Sequence, residues 1–158
     1  MNEAARILVV DDEDGIRKTI SLILQRAGYT VDTAENGKQA IEKSENNFYN
    51  LALIDIRLPD MEGTELLSRL KETTPRMVKI ILTGFPGLEN AVTAINKGVD
   101  GYLVKPVDTD ALLKKINERL EMQKQEKEYS QQKVADFLET RLKELEEQDR
   151  KKGTNSTQ

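Results

Sequence analysis

Short runs that are apolar almost throughout alternate five times with segments whose apolar residues recur at helical spacing, and this alternation restricts the fold more than any other feature. Ile7-Leu8-Val9-Val10 stops abruptly at Asp11-Asp12, and Ile16, Ile20, Ile23 and Leu24 follow at helical spacing up to Gly28. Tyr29, Val31 and Thr33 precede a helical stretch over 37–43, and Leu51-Ala52-Leu53-Ile54 precede one over 64–71. The run from Met77 to Leu82 pairs with 88–96, and the short run Tyr102-Leu103-Val104 pairs with a helix beginning near Asp108. A strand that is apolar nearly throughout is one covered on both faces, as in a parallel sheet, and strand-helix alternation joins such strands by right-handed crossovers.

The expected fold is therefore α/β, a flavodoxin-like (βα)5 three-layer sandwich with parallel sheet order 2-1-3-4-5. Its ligand crevice lies at the carboxyl ends of strands 1 and 3. A barrel would need eight such units. Past residue 120 the pattern changes: 51 of the 59 apolar residues precede Glu121, and no Pro or Gly occurs from Val107 to Lys152. The expected organisation is a compact domain over 1–120, a helical or coiled-coil-like extension over 121–152, and a disordered tail over 153–158. The extension carries nine acids and eight bases, a mixture that suits a solvated helix. Glu139 with Lys143, Glu146 with Arg150 and Glu147 with Lys151 add i,i+4 pairs worth about 0.3 kcal/mol each. A helix from Thr109 to Arg150 would be about 60 Å long and reach past the domain.

Val134, Leu138, Leu142 and Leu145 form an apolar stripe on that extension, but not a complete heptad seam. A register through Leu120, Val134, Leu138 and Leu145 leaves Lys124, Lys127, Gln131 and Arg141 at the other core positions. Three readings stay open: an exposed charged helix, a homodimer contact, or a dock for a partner helix.

Composition removes whole classes of function. Without His or Cys, the chain has no imidazole base, no thiolate and no zinc site of the usual kind. With 24 basic and 28 acidic residues and no basic cluster, direct nucleic-acid binding is not expected. No apolar run approaches the roughly 18 residues of a membrane span, and Met-Asn-Glu-Ala-Ala-Arg lacks the layout of a signal peptide, so a cytoplasmic location is expected.

Polar residues stand where the apolar runs stop: Asp11 and Asp12 after the first, Asp55 after the third, Thr83 after the fourth and Lys105 after the fifth. In a parallel sheet these ends meet along one edge. Singly each has an ordinary reading: Asp12 or Asp14 as a helix cap, Thr83 as a strand-end hydroxyl, Lys105 as a surface amine. Together, three carboxylates would repel one another without a neutralising cation. Oxygen donors alone favour a hard ion, and Mg²⁺ is the natural one. A nearby ammonium and hydroxyl then suit a phosphoryl group.

Asp11-Asp12, the stretch Leu53-Ile54-Asp55-Ile56-Arg57-Leu58-Pro59-Asp60-Met61-Glu62-Gly63, Thr83-Gly84 and Lys105-Pro106 resemble the receiver domain of two-component response regulators over about residues 5–120. The resemblance implies that Asp55 accepts the phosphoryl group and that Asp12, Asp55 and the Arg57 carbonyl bind Mg²⁺ directly, with Asp11 acting through water. It also implies that Lys105 contacts the phosphoryl oxygens, that Thr83 and Tyr102 are the switch residues, and that Lys105-Pro106 is cis. The implied partners are a sensor histidine kinase or a histidine phosphotransfer protein, and a downstream protein. A homodimer through the 88–104 face or the C-terminal helix is a further expectation. Phosphorylation adds about -1.5 to -2 charges, which would draw Thr83 inward and leave space for Tyr102. Arg57 and Phe85 flank the approach of a hydrolytic water, so slow autodephosphorylation is expected. A phosphorelay intermediate is the alternative. An Asp-nucleophile phosphohydrolase is less favoured, because Arg57 stands where a leaving-group acid is wanted.

Overall fold

The computed structural model describes residues 4–84, 87, 92–94 and 96–155. Five strands, β1 (Arg6–Val10), β2 (Thr30–Ala34), β3 (Leu51–Asp55), β4 (Val78–Thr83) and β5 (Gly101–Val104), form one parallel sheet in the order β2-β1-β3-β4-β5. The connecting helices are α1 (Asp14–Arg26), α2 (Gly37–Asn46) and α3 (Gly63–Arg69), and α4 (Thr109–Asn155) follows β5. This is the expected flavodoxin-like arrangement, and the sheet is covered as the apolar runs require. Of the expected 88–96 helix, residues 92–94 and 96 are helical and the rest lies outside the described residues.

Strand alternation divides the core in two. Leu8, Val10, Ala52, Ile54 and Ile81 face α2 and α3, where Ala40, Leu66, Leu67 and Leu70 close over them. Ile7, Val9, Leu51, Leu53, Ile80 and Leu82 face the other way, against Ile20 and Leu24 of α1 and Leu112 and Ile116 of α4. Every residue of β3 is buried, as befits the central strand. α1 ends at Gly28, whose φ of 98° only glycine adopts without strain; Gly28 N donates to the Gln25 carbonyl and Tyr29 N to the Leu24 carbonyl.

Contacts divide the chain into two compact units, 1–123 and 124–158. Gln123 is the last buried residue of the first. Its Nε2 donates to the carbonyls of Asn50 at 2.9 Å and Arg76 at 2.8 Å, and its Oε1 accepts from Asn50 Nδ2 at 3.3 Å. Gln123 falls in the extension that composition assigns to a solvated helix; the fold shows that it donates to the carbonyls just before β3 and β4. In the second unit every described side chain is exposed, Val134, Phe137, Leu138, Leu142 and Leu145 among them. The helix continues to Asn155, beyond the Lys152 boundary and through Gly153, which costs an exposed helix only about 1 kcal/mol. No helix among the described residues is long and apolar enough to cross a membrane.

Removing the Gln123 amide takes this donor from the partly buried carbonyls of Asn50, which keeps its bond from Val78 N, and of Arg76. Gln123→Ala is expected to lower unfolding free energy by about 1–3 kcal/mol, read from urea denaturation followed by circular dichroism.

Candidate functional site

The site lies along the carboxyl edge of the sheet, where β1, β3, β4 and β5 end. Chain direction alone brings Asp11, Asp12, Asp55, Thr83 and Lys105 to this edge, since all five strands are parallel. Asp11 is 1% exposed and Asp55 8%, whereas Asp12 faces solvent. Carboxylate oxygens of the three lie within 4.8 Å of one another. An octahedral Mg²⁺ with bonds of about 2.1 Å spans about 4.2 Å between opposite ligands, so this all-oxygen cluster fits such an ion after small side-chain movement.

Lys105 reaches into the cluster. Its Nζ donates to Asp11 Oδ2 at 2.7 Å and lies 3.4 Å from Asp55 Oδ2. Its backbone N donates to the Thr83 carbonyl at 2.6 Å, which fixes the chain as β5 ends, and the Lys105-Pro106 peptide is cis. Burial disfavours the ammonium, but the hydrogen bond it donates to Asp11 and the charges of Asp11 and Asp55 outweigh it and hold the lysine pKa above its ordinary value. For Asp55 the balance is opposite: burial, then the charge of Asp11, raise its carboxyl above the usual range despite Lys105.

The turn after β3 is anchored at several points. Arg57 N donates to Asp55 Oδ1 at 3.3 Å, and Gly63 N donates to the Ile56 carbonyl at 2.6 Å. A Cβ at Gly63 would overlap the Asp55 carbonyl oxygen, so only glycine lets α3 start this close to the end of β3. Asp60 bridges to the start of α2: its two carboxylate oxygens accept from Gly37 N and Lys38 N, each at 2.9 Å. Thr83 is fully buried. Tyr102 is half-buried against the α2–α3 core, and its hydroxyl is buried with no hydrogen-bond partner among the described residues. Phe85 lies outside the described residues.

The ordinary reading of Asp12 or Asp14 as a helix cap is not what the structure shows. Glu13 occupies the cap of α1 without a side-chain bond, and the Asp14 carboxylate pairs with Arg17 instead. Arg17 and Asp60 were not singled out by sequence reasoning. A signal for Arg17 was present: with Ile20 and Leu24 it completes an i, i+3, i+7 stripe, so a charged residue stands on the buried face of α1.

The family model for the response regulator receiver domain matches residues 7–117. The chain belongs to the receiver domain family. A CheY-like receiver domain from Methanospirillum hungatei JF-1 superposes with a TM-score of 0.75 at 47% identity, covering 78% of this chain and 99% of that one. The transcriptional regulatory protein GlrR of Escherichia coli (strain K12) is 37% identical over 120 residues, which is 76% of this chain and 27% of the relative. A cyclic di-GMP phosphodiesterase of Thermotoga maritima is 34% identical over 114 residues, 72% of this chain and 30% of that protein. The chain thus spans about a quarter to a half of the curated relatives it matches. Receiver domains are phospho-acceptor modules of two-component systems, and this one carries the acidic pocket in which such domains bind a divalent cation.

The raised carboxyl of Asp55 has a testable sign. Its neutral form is favoured by folding, so its contribution to stability is present below the ordinary carboxylate pKa and is lost as pH rises through the raised value. In chelator, Asp55→Asn is expected to melt above the wild type at neutral pH, with the gap narrowing toward acid. Thermal unfolding across that range measures it.

Proposed function

We propose that this chain is the phospho-acceptor response regulator of a two-component system, taking a phosphoryl group from a histidine kinase onto Asp55 and signalling by a conformational change to protein partners. The observation that carries this reading is the Lys105 ammonium set between the buried carboxylates of Asp11 and Asp55, with Asp12 beside them. A lysine there neutralises charge on a transferring phosphoryl group, which suits transfer to Asp55 better than any general acid-base chemistry.

In this reading Asp12, Asp55 and the Arg57 carbonyl hold Mg²⁺, and Asp11 contacts it through water. When bound, the ion supplies further neutralisation of the phosphoryl oxygens. An Asp55 oxygen forms a bond to phosphorus as the phosphorus–nitrogen bond of a phosphohistidine breaks, with imidazole as the leaving group. Lys105 turns from Asp55 toward the new phosphoryl oxygens, and the Thr83 hydroxyl donates to another. The Tyr102 hydroxyl is buried without a partner among the described residues, so no hydrogen bond has to be broken for its ring to move. Movement of Thr83 and Tyr102 then changes the surface presented to a partner.

Incubation with Mg²⁺ and a small phosphoryl donor such as acetyl phosphate is expected to add one phosphoryl mass to the wild type and none to Asp55→Asn. Mass spectrometry reads this directly, and labelling of the variant to the same extent would overturn the assignment. The output is read by light scattering with Mg²⁺ and beryllofluoride. A molar mass that doubles in the wild type and not in Asp55→Asn makes homodimerisation the output, whereas an unchanged mass with beryllofluoride bound points to a relay or to a heterologous partner.

A further inference from the structure

Arg17 is a charged residue that the proposed chemistry leaves without a task, yet it is only 7% exposed. Burying a guanidinium is costly unless its donors are matched, and here one fork reaches three segments. Nη1 donates to the Asp11 carbonyl at 2.7 Å; Nη2 donates to Asp14 at the start of α1 and faces Glu35, between β2 and α2, at 3.5 Å. The Asp11 side chain is held independently, by Glu13 N at 2.9 Å and by Lys105. Asp11 is therefore fixed from both ends, its carbonyl by Arg17 and its carboxylate by Glu13 N and Lys105.

We infer that Arg17 is a positioning residue for the cation pocket, holding the Asp11-Asp12 turn so that both carboxylates meet Asp55. This rests on the reading of that cluster as a Mg²⁺ site. Arg17 touches neither the cation nor the phosphoryl group; it acts through the backbone of Asp11. Its charge and its geometry push in opposite directions, and this makes the role measurable. A positive charge near the pocket repels a second cation, so if charge alone mattered, removing Arg17 would tighten Mg²⁺ binding. If Arg17 positions the turn, removing it weakens binding, as loss of an outer partner of metal ligands commonly does by about tenfold or more.

The test is calorimetric titration of the full chain with Mg²⁺, alongside thermal unfolding without the ion. Arg17→Ala is expected to bind Mg²⁺ about tenfold more weakly. Arg17→Lys keeps the charge but cannot span Asp11, Asp14 and Glu35 together, so it is expected to weaken binding as well, and it carries the test if Arg17→Ala does not fold. Unchanged or tighter binding in the folded variants, with only the melting temperature lowered, would assign Arg17 to stability alone and overturn the inference. A wild type that does not bind Mg²⁺ would overturn the cation reading itself, and the two failures are told apart by that one control.

Discussion

The crowding of negative charge at the carboxyl edge of the sheet is the condition the rest of the site answers to. Asp11 and Asp55 have been taken almost wholly out of water and set near each other, an arrangement that a free chain would not adopt. Lys105 is held by the Thr83 carbonyl where its ammonium can lie between them, and Arg17 holds the Asp11 carbonyl from the side of α1. Gly63 lets the turn after Asp55 fold back tightly, and Asp60 fastens that turn to α2. These contacts offset the cost of keeping the carboxylates desolvated and close together, and a cation would offset it further.

Much of this was legible in the sequence. The five apolar runs showed the layering, because such runs suit a parallel sheet covered on both sides, and the strand order followed from the doubly wound order that five strands fit. The converging residues were legible because each stood immediately after a run, and in a parallel sheet that position is an address. Arg17 was passed over because periodicity counts apolar residues, and a buried ion pair interrupts the stripe it belongs to. Asp60 and Gln123 were passed over for another reason. Their partners, Gly37 and Lys38 in one case, Asn50 and Arg76 in the other, are distant in sequence and are backbone groups, which no residue pattern displays.

The second unit follows simpler physics. From Lys124 onward no described side chain is buried, so its helix rests on local terms, such as the Glu139–Lys143 pair at 3.5 Å and the Arg141–Glu144 pair at 3.1 Å. Exposed pairs of this kind contribute a few tenths of a kcal/mol each. Five large apolar side chains within residues 134–145 stand in that otherwise polar surface.

The strict alternation of the two cores also governs how this sequence can vary. Adding one residue in the middle of β3 would send Leu53 and Ile54 to the opposite faces while Leu51 and Ala52 kept theirs, and would turn the following carboxylate away from Asp11. The strands are thus intolerant of any change in length, although they accept exchange among apolar residues of similar volume. The helix beyond Gln123 has the opposite character, since no buried partner counts its turns. Insertions and deletions should accumulate there while the distances between Asp11, Asp55 and Lys105 stay untouched, so one chain joins a segment of fixed length to one of free length.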